Sequence, residues 1–183
     1  VQHSVMARQS FKKAWTKIVP PSMERSTYVL ATVVVLWVMF WGWQPMPGVV
    51  WSVDSSLWVG VLTALFFLGF GIVLLSTFLI NHFELFGLMQ GWFKFKAKEA
   101  AAPKFVTPML YKFVRHPLYL GFLIAFWATS HMTAGHLLFA AIWTAYIFIA
   151  IGYEERDMIA LFGDQYRDYM MKIPSILPFG GRK

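Results

Sequence analysis

The sequence predicts an all-α fold: a polytopic membrane helical bundle with four spans and a short C-terminal amphipathic helix. Three observations predict it. The 183 residues are 58% hydrophobic and 14% charged, with mean hydropathy +0.55, whereas soluble domains run about 45–50% apolar and about 25% charged. Charge is absent from three long runs, and the basic residues all fall on one side of them. An aromatic content of 19% excludes disorder, and the absence of cysteine excludes disulfides, thiolate metal sites and a cysteine nucleophile.

The first charge-free run is Ser26–Val53, whose apolar core is Tyr28 to Trp43, and the second is Ser55–Asn81, 27 residues long. The third, Pro117–Tyr153, has 37 residues, too many for one span of about 20. It is broken by Ser130-His131-Met132-Thr133-Ala134-Gly135-His136, a polar cluster with turn chemistry. This run predicts two helices in a tight hairpin, the first starting near Pro117 and short. Residues 94–108 (KFKAKEAAAPKFVTP) read as a loop with a short helical piece, within a single domain over 1–183. The chain opens on Val1 with no initiator methionine, so it is expected to be a fragment or a processed product that lacks its true start.

Charge sets the expected orientation. All 16 Lys and Arg lie before the first span, between the second and third, or after the fourth, and the opposite loops carry only Asp54. By the positive-inside rule both ends are expected in the cytoplasm, as in a bacterial inner membrane protein. The basic residues then serve orientation and attraction to anionic headgroups; no motif points to nucleic acid. Trp37, Trp41, Trp43, Trp51 and Trp58 gather round the uncharged loop as an interfacial belt.

Chemistry is sought where ionisable residues meet the membrane, because such placement is costly without a purpose. Arg115-His116-Pro117-Leu118-Tyr119-Leu120-Gly121 opens the third span. Pro117 suits the first helical turn and pushes His116 into an extended conformation. The first turn of a helix offers N–H groups to an anion, with Arg115 and His116 beside it. Alternatively, Arg115 snorkels to headgroups and His116 merely caps the helix. Glu154-Glu155 end the fourth span, near the negative pole if the helix stops there. They make better sense if the helix continues or if they hold a ligand, the plainer alternative being a solvated charge run. Tyr166 and Tyr169, in Phe162-Gly163-Asp164-Gln165-Tyr166-Arg167-Asp168-Tyr169, share a face of an amphipathic helix opened by Gly163 and Asp164, where core packing would also explain them. His82 and Glu84 end the second span at the same level. No pair of histidines has helical ligand spacing, so no metal site is expected.

Taken together, Arg-His-Pro-x-Tyr-x-Gly, then a hairpin, then Glu-Glu, then Phe-Gly-x-x-Tyr-x-x-Tyr resembles the isoprenylcysteine carboxyl methyltransferase superfamily of membrane methyltransferases. Gln2-His3-Ser4-Val5-Met6-Ala7-Arg8, Glu24-Arg25-Ser26-Thr27-Tyr28, Asn81-His82-Phe83-Glu84-Leu85-Phe86-Gly87-Leu88 and Phe126-Trp127-Ala128-Thr129 narrow the resemblance to its branch acting on methanethiol. The resemblance implies methyl transfer from S-adenosylmethionine to the sulfur of methanethiol, giving dimethyl sulfide, and it implies a further N-terminal transmembrane portion, with Val1 to Arg8 finishing the helix before. It implies cofactor binding by His116, Pro117, Tyr119, Gly121, Glu154, Glu155 and Tyr166. The acceptor is then a small thiol in a pocket including Phe86, Phe122, Phe126 and Trp127, and activation of that thiol is expected from Arg115, His82 or Glu84. The lipid bilayer is the other partner, and no metal or obligate protein partner is implied. The rival readings are a related enzyme for a larger lipophilic acceptor (an isoprenylcysteine carboxylate or a phospholipid amine), a sterol-type reductase, and a non-catalytic membrane accessory protein.

Overall fold

The computed structural model describes residues 2–80 and 105–177. They fall into two compact units, divided after Gln44 and again at Leu79.

In the first unit, α1 (Gln2–Met6) and α2 (Gln9–Trp15) precede the long α3 (Pro21–Trp41). Pro21 occupies the first turn of α3, where its fixed φ costs nothing and Glu24 favours the positive pole. The short helices are tied to the first turns of α3. Trp15 Nε1 donates to Thr27 Oγ1 at 3.0 Å, Lys12 Nζ lies 3.7 Å from Glu24, and the Tyr28 hydroxyl meets the His3 ring at 2.7 Å. Beyond these contacts α3 presents Val33, Val34, Trp37, Val38, Phe40 and Trp41 outward. A face that apolar belongs against lipid rather than water.

The second unit comprises β1 (Val49–Ser52), α4 (Ser56–Leu79), a 3₁₀ turn η1 (Met109–Lys112), α5 (Pro117–Trp127), β2 (His131–Thr133), α6 (Ala134–Phe162) and α7 (Asp164–Lys172). The chain is thus mostly helical, as the sequence predicts. Among the described residues three helices, α3, α4 and α6, are long and apolar enough to cross a membrane; the sequence leads to an expectation of four spans.

The difference lies in α5, whose 11 residues rise only about 16 Å, roughly half a bilayer core. The helix stops at Trp127, and the following segment becomes β2, paired antiparallel with β1 (Val49 opposite Thr133, Ser52 opposite His131). This ladder takes the place of the expected turn. Strands of four and three residues have too short a pattern to distinguish from loop. Thr133 then caps α6, its hydroxyl accepting from His136 N–H, while Ala134 and Gly135 N–H donate to Gly48 and Met46 carbonyls. The His136 ring, facing the Phe126 carbonyl at 2.9 Å, must donate to it.

Small residues join α4 to α5. A Cβ on Gly121 would stand 2.6 Å from the Gly69 carbonyl oxygen and 2.9 Å from Val73 N, so only glycine permits this approach. Ala125, 1% exposed, continues the seam one turn on. Glu154-Glu155 do not terminate α6. The helix runs through them to Phe162 and ends at Gly163, whose φ of +58° and ψ of −129° favour glycine. Gly163 rather than Asp164 precedes α7, and the Asp164 carboxylate instead accepts from Arg167 at 2.8 Å.

Candidate functional site

The start of α5 and the last third of α6 bring Arg115, His116 and Glu155 together. Pro117 at the first helical position leaves His116 extended (φ −125°, ψ 62°), so the chain enters α5 at a sharp angle with both preceding side chains turned towards α6. Glu155 Oε1 accepts from Arg115 Nε at 2.9 Å, Arg115 Nη2 at 2.8 Å and His116 Nε2 at 3.0 Å. A carboxylate has no proton to give in this arrangement, so His116 Nε2 carries the hydrogen. Arg115, His116 and Glu155 side chains are 10%, 4% and 15% exposed. A buried charge must be paired and hydrogen-bonded, and Arg115 and Glu155 meet that condition in each other.

The rest of the Arg115 fork faces the chain after α7. Nη1 donates to the Met170 carbonyl at 3.1 Å and to the Ile173 carbonyl. Backbone N–H groups of Arg115 and His116 donate to the Pro174 and Ser175 carbonyls at 2.9 and 3.0 Å. Every guanidinium nitrogen is therefore engaged in holding structure. Glu154, by contrast, is 48% exposed, and its carboxylate lies 3.8 Å from His116 Nδ1, beyond hydrogen-bond reach. One carboxylate anchors and its neighbour faces outward, as the 100° step between adjacent helical residues requires.

Aromatic rings surround the cluster. Tyr119 stacks on His116 at 5.6 Å. Tyr166 is 3% exposed, with Phe105 and Tyr169 rings at 5.9 and 5.8 Å. The Tyr169 hydroxyl donates to the Tyr111 carbonyl. The Tyr166 hydroxyl, however, has no hydrogen-bond partner among the described residues. Burial, then the Glu155 and Glu154 carboxylates, push its pKa well above the phenolic range. Burial likewise raises Tyr169 to about 12 and raises Tyr111. All three phenols are protonated donors at neutral pH.

Arg115, His116, Pro117, Tyr119, Glu154, Glu155 and Tyr166 thus converge on one end of α5 and α6. Gly121 stands apart, in the seam with Gly69. His82, Glu84, Phe86 and most of the 94–108 loop lie outside the described residues. Among the described residues no cluster of three or more metal-ligating side chains occurs. Sequence reasoning missed the segment Ile173–Ile176, whose grip on Arg115 and His116 spans 58 residues and leaves no local signal. It also missed Phe105, packed against Phe162, Tyr166 and Tyr169.

The family model for phospholipid methyltransferases matches residues 55–165, which include Arg115, His116, Glu154 and Glu155. Methanethiol S-methyltransferase 1 of Bradyrhizobium diazoefficiens is 55% identical over 98% of this chain and 63% of its own length. Methanethiol S-methyltransferase of Mycobacterium tuberculosis is 54% identical over 100% of this chain and 75% of its own. That of Pseudomonas deceptionensis is 54% identical over 97% and 68%. The chain therefore spans about two thirds to three quarters of the length of these relatives. No solved structure matches it. The chain belongs to the phospholipid methyltransferase family, in the group formed with the methanethiol S-methyltransferases.

Proposed function

We propose that the protein moves a methyl group from S-adenosylmethionine to the sulfur of methanethiol, releasing dimethyl sulfide. The observation that carries this reading is a buried Arg115–Glu155–His116 cluster with two groups left for a ligand beside it: the outward Glu154 carboxylate and the partnerless Tyr166 hydroxyl. The donor set fits S-adenosylmethionine. Glu154 is suited to accept from ribose hydroxyls or an ammonium, Tyr166 to donate to a carboxylate or adenine, His116 to accept through Nδ1 from the adenine amino group, and Tyr119 to offer a π face to a cation. Gly121 contributes by letting α5 sit close against α4.

When bound, the donor supplies an electrophilic methyl on a sulfonium. This chain's residues supply alignment, which is most of what an in-line displacement needs. Arg115 and Glu155 hold His116 and the Ile173–Ile176 segment in register, so Arg115 acts by positioning. His82 and Glu84 are the groups proposed to take the thiol proton. Phe122, Phe126 and Trp127 keep the acceptor side apolar and short of water. We further propose one domain over 1–183, with four crossings. In this arrangement α5 and the extended segment behind it complete the third crossing, and α6 forms the hairpin with it. The one-sided basic residues support a bacterial inner membrane location with both ends and the site facing the cytoplasm.

Headspace gas chromatography tests the reading, on membranes carrying the chain with its natural flanking sequence, S-adenosylmethionine and methanethiol. Dimethyl sulfide is expected, and it falls sharply in Glu154→Ala and His116→Ala. Binding of the cofactor without dimethyl sulfide would move the acceptor to a larger lipophilic molecule. Failure to bind the cofactor would leave the accessory-protein reading.

A further inference from the structure

One segment outside the family motif residues enters the site. After α7 the chain doubles back, and the Pro174 and Ser175 carbonyls accept from the backbone N–H groups of Arg115 and His116. The next residue, Ile176, is 7% exposed and packs with Ile147 and Ile151 of α6, where Tyr119, Phe122 and Phe126 also pack. Ile147, Ile151 and Glu155 recur every four residues and so lie on one face of α6. Running down that face, α6 is polar at Glu155 and apolar at Ile151 and Ile147, where the rings of α5 pack against it. Ile176 occupies the junction, one residue from the carbonyl that holds His116.

We infer that Ile176 is a specificity-determining residue that limits the acceptor to a one-carbon thiol; this rests on the thiol methylation proposed above. In that reaction the acceptor sulfur bonds to the methyl carbon as the sulfonium carbon–sulfur bond breaks. The electron pair stays on the donor, which leaves as a neutral thioether, and the thiol proton passes to a base. The thiol is apolar and the donor's binding groups are polar, so the two meet where that face changes from polar to apolar, and the Ile176 side chain stands there. Truncation to alanine removes three carbons there, room for the two extra carbons of propane-1-thiol.

The test compares kcat/KM for propane-1-thiol and methanethiol in the wild-type protein, Ile176→Val and Ile176→Ala, in membranes. Binding of methyl propyl sulfide is read separately, without turnover, by a shift in thermal unfolding. The propanethiol-to-methanethiol ratio is expected to rise about tenfold or more in Ile176→Ala, with methyl propyl sulfide binding gained in parallel. Should Ile176→Ala fail to fold, Ile176→Val decides, with a rise of about threefold for one carbon removed. An unchanged ratio in a folded variant, with both substrates slowed alike, overturns the inference and leaves Ile176 as core packing. Wild-type protein that makes no dimethyl sulfide overturns the thiol reading and this inference with it.

Discussion

Replacing Glu155 by glutamine keeps the shape of the side chain and removes its charge. The structure ties that charge to three donors on one oxygen, at 2.8, 2.9 and 3.0 Å. A hydrogen bond to a charged group contributes about 1.5–3 kcal/mol and a neutral one about 0.5–1.5 kcal/mol. Neutralisation therefore costs about 1 kcal/mol per bond, or about 3 kcal/mol in all, at the low end of the about 3–5 kcal/mol expected when a buried ion pair loses one partner. Glu154→Gln is the internal control. Its carboxylate is 48% exposed and lies 3.8 Å from His116 Nδ1, so it should cost less than about 1 kcal/mol. Thermal unfolding in detergent, followed by tryptophan fluorescence, should show Tm lower by about 6–12 °C for Glu155→Gln, at about 2–4 °C per kcal/mol. Glu154→Gln should move it by less than about 4 °C. Arg115→Met combined with Glu155→Leu should recover part of the loss, since no charge is then buried alone. Equal costs for the two glutamates, or a neutral Glu155→Gln, would refute the division of labour between anchor and ligand group.

Three further outcomes are open to measurement. Tyr166→Phe removes a buried hydroxyl without a partner among the described residues, so stability should hold or rise by up to about 1 kcal/mol, while calorimetry shows weakened S-adenosylmethionine binding; a marked loss of stability would show that the hydroxyl is bonded after all. Gly121→Ala should destabilise by about 1–3 kcal/mol, because its Cβ would meet the Gly69 oxygen at 2.6 Å, whereas Gly71→Ala, with nothing within 4 Å, should be neutral or stabilising by about 0.5–1 kcal/mol. The raised phenols give a pH dependence of definite sign. The folded protein keeps its phenolic protons above pH 10.0, where unfolded tyrosine loses them. Stability should therefore be indifferent to these groups below about 10 and fall as pH rises towards the folded value of about 12. Tyr169→Phe should flatten that decline, and an unchanged slope would refute its share in it.

Composition and charge placement made the apolar helices legible, because a run of about 20 uncharged apolar residues has few homes other than a membrane. The motif residues at 115–121, 154–155 and 162–169 were legible as well, since ionisable groups beside such runs are rarely idle. The way the chain leaves α5 was not. Whether the chain stays helical past Trp127 depends on the pairing of His131–Thr133 with Val49–Ser52, and no local pattern encodes a partner 80 residues away. Glu154 and Glu155 are identical and adjacent in the sequence; only the angle at which α6 meets α5 decides which of them anchors Arg115. Gly121 reads as part of a motif, yet its small size is needed where α4 crosses α5. Likewise Ile176 reads as one more apolar residue near a membrane surface, and the return of the chain beneath His116 gives it a place in the site. The sequence by itself determined which residues carry charge and where lipid would cover the chain, because those depend on residue type and order. Partners, distances and burial were decided by tertiary structure, because each depends on segments that meet only after folding.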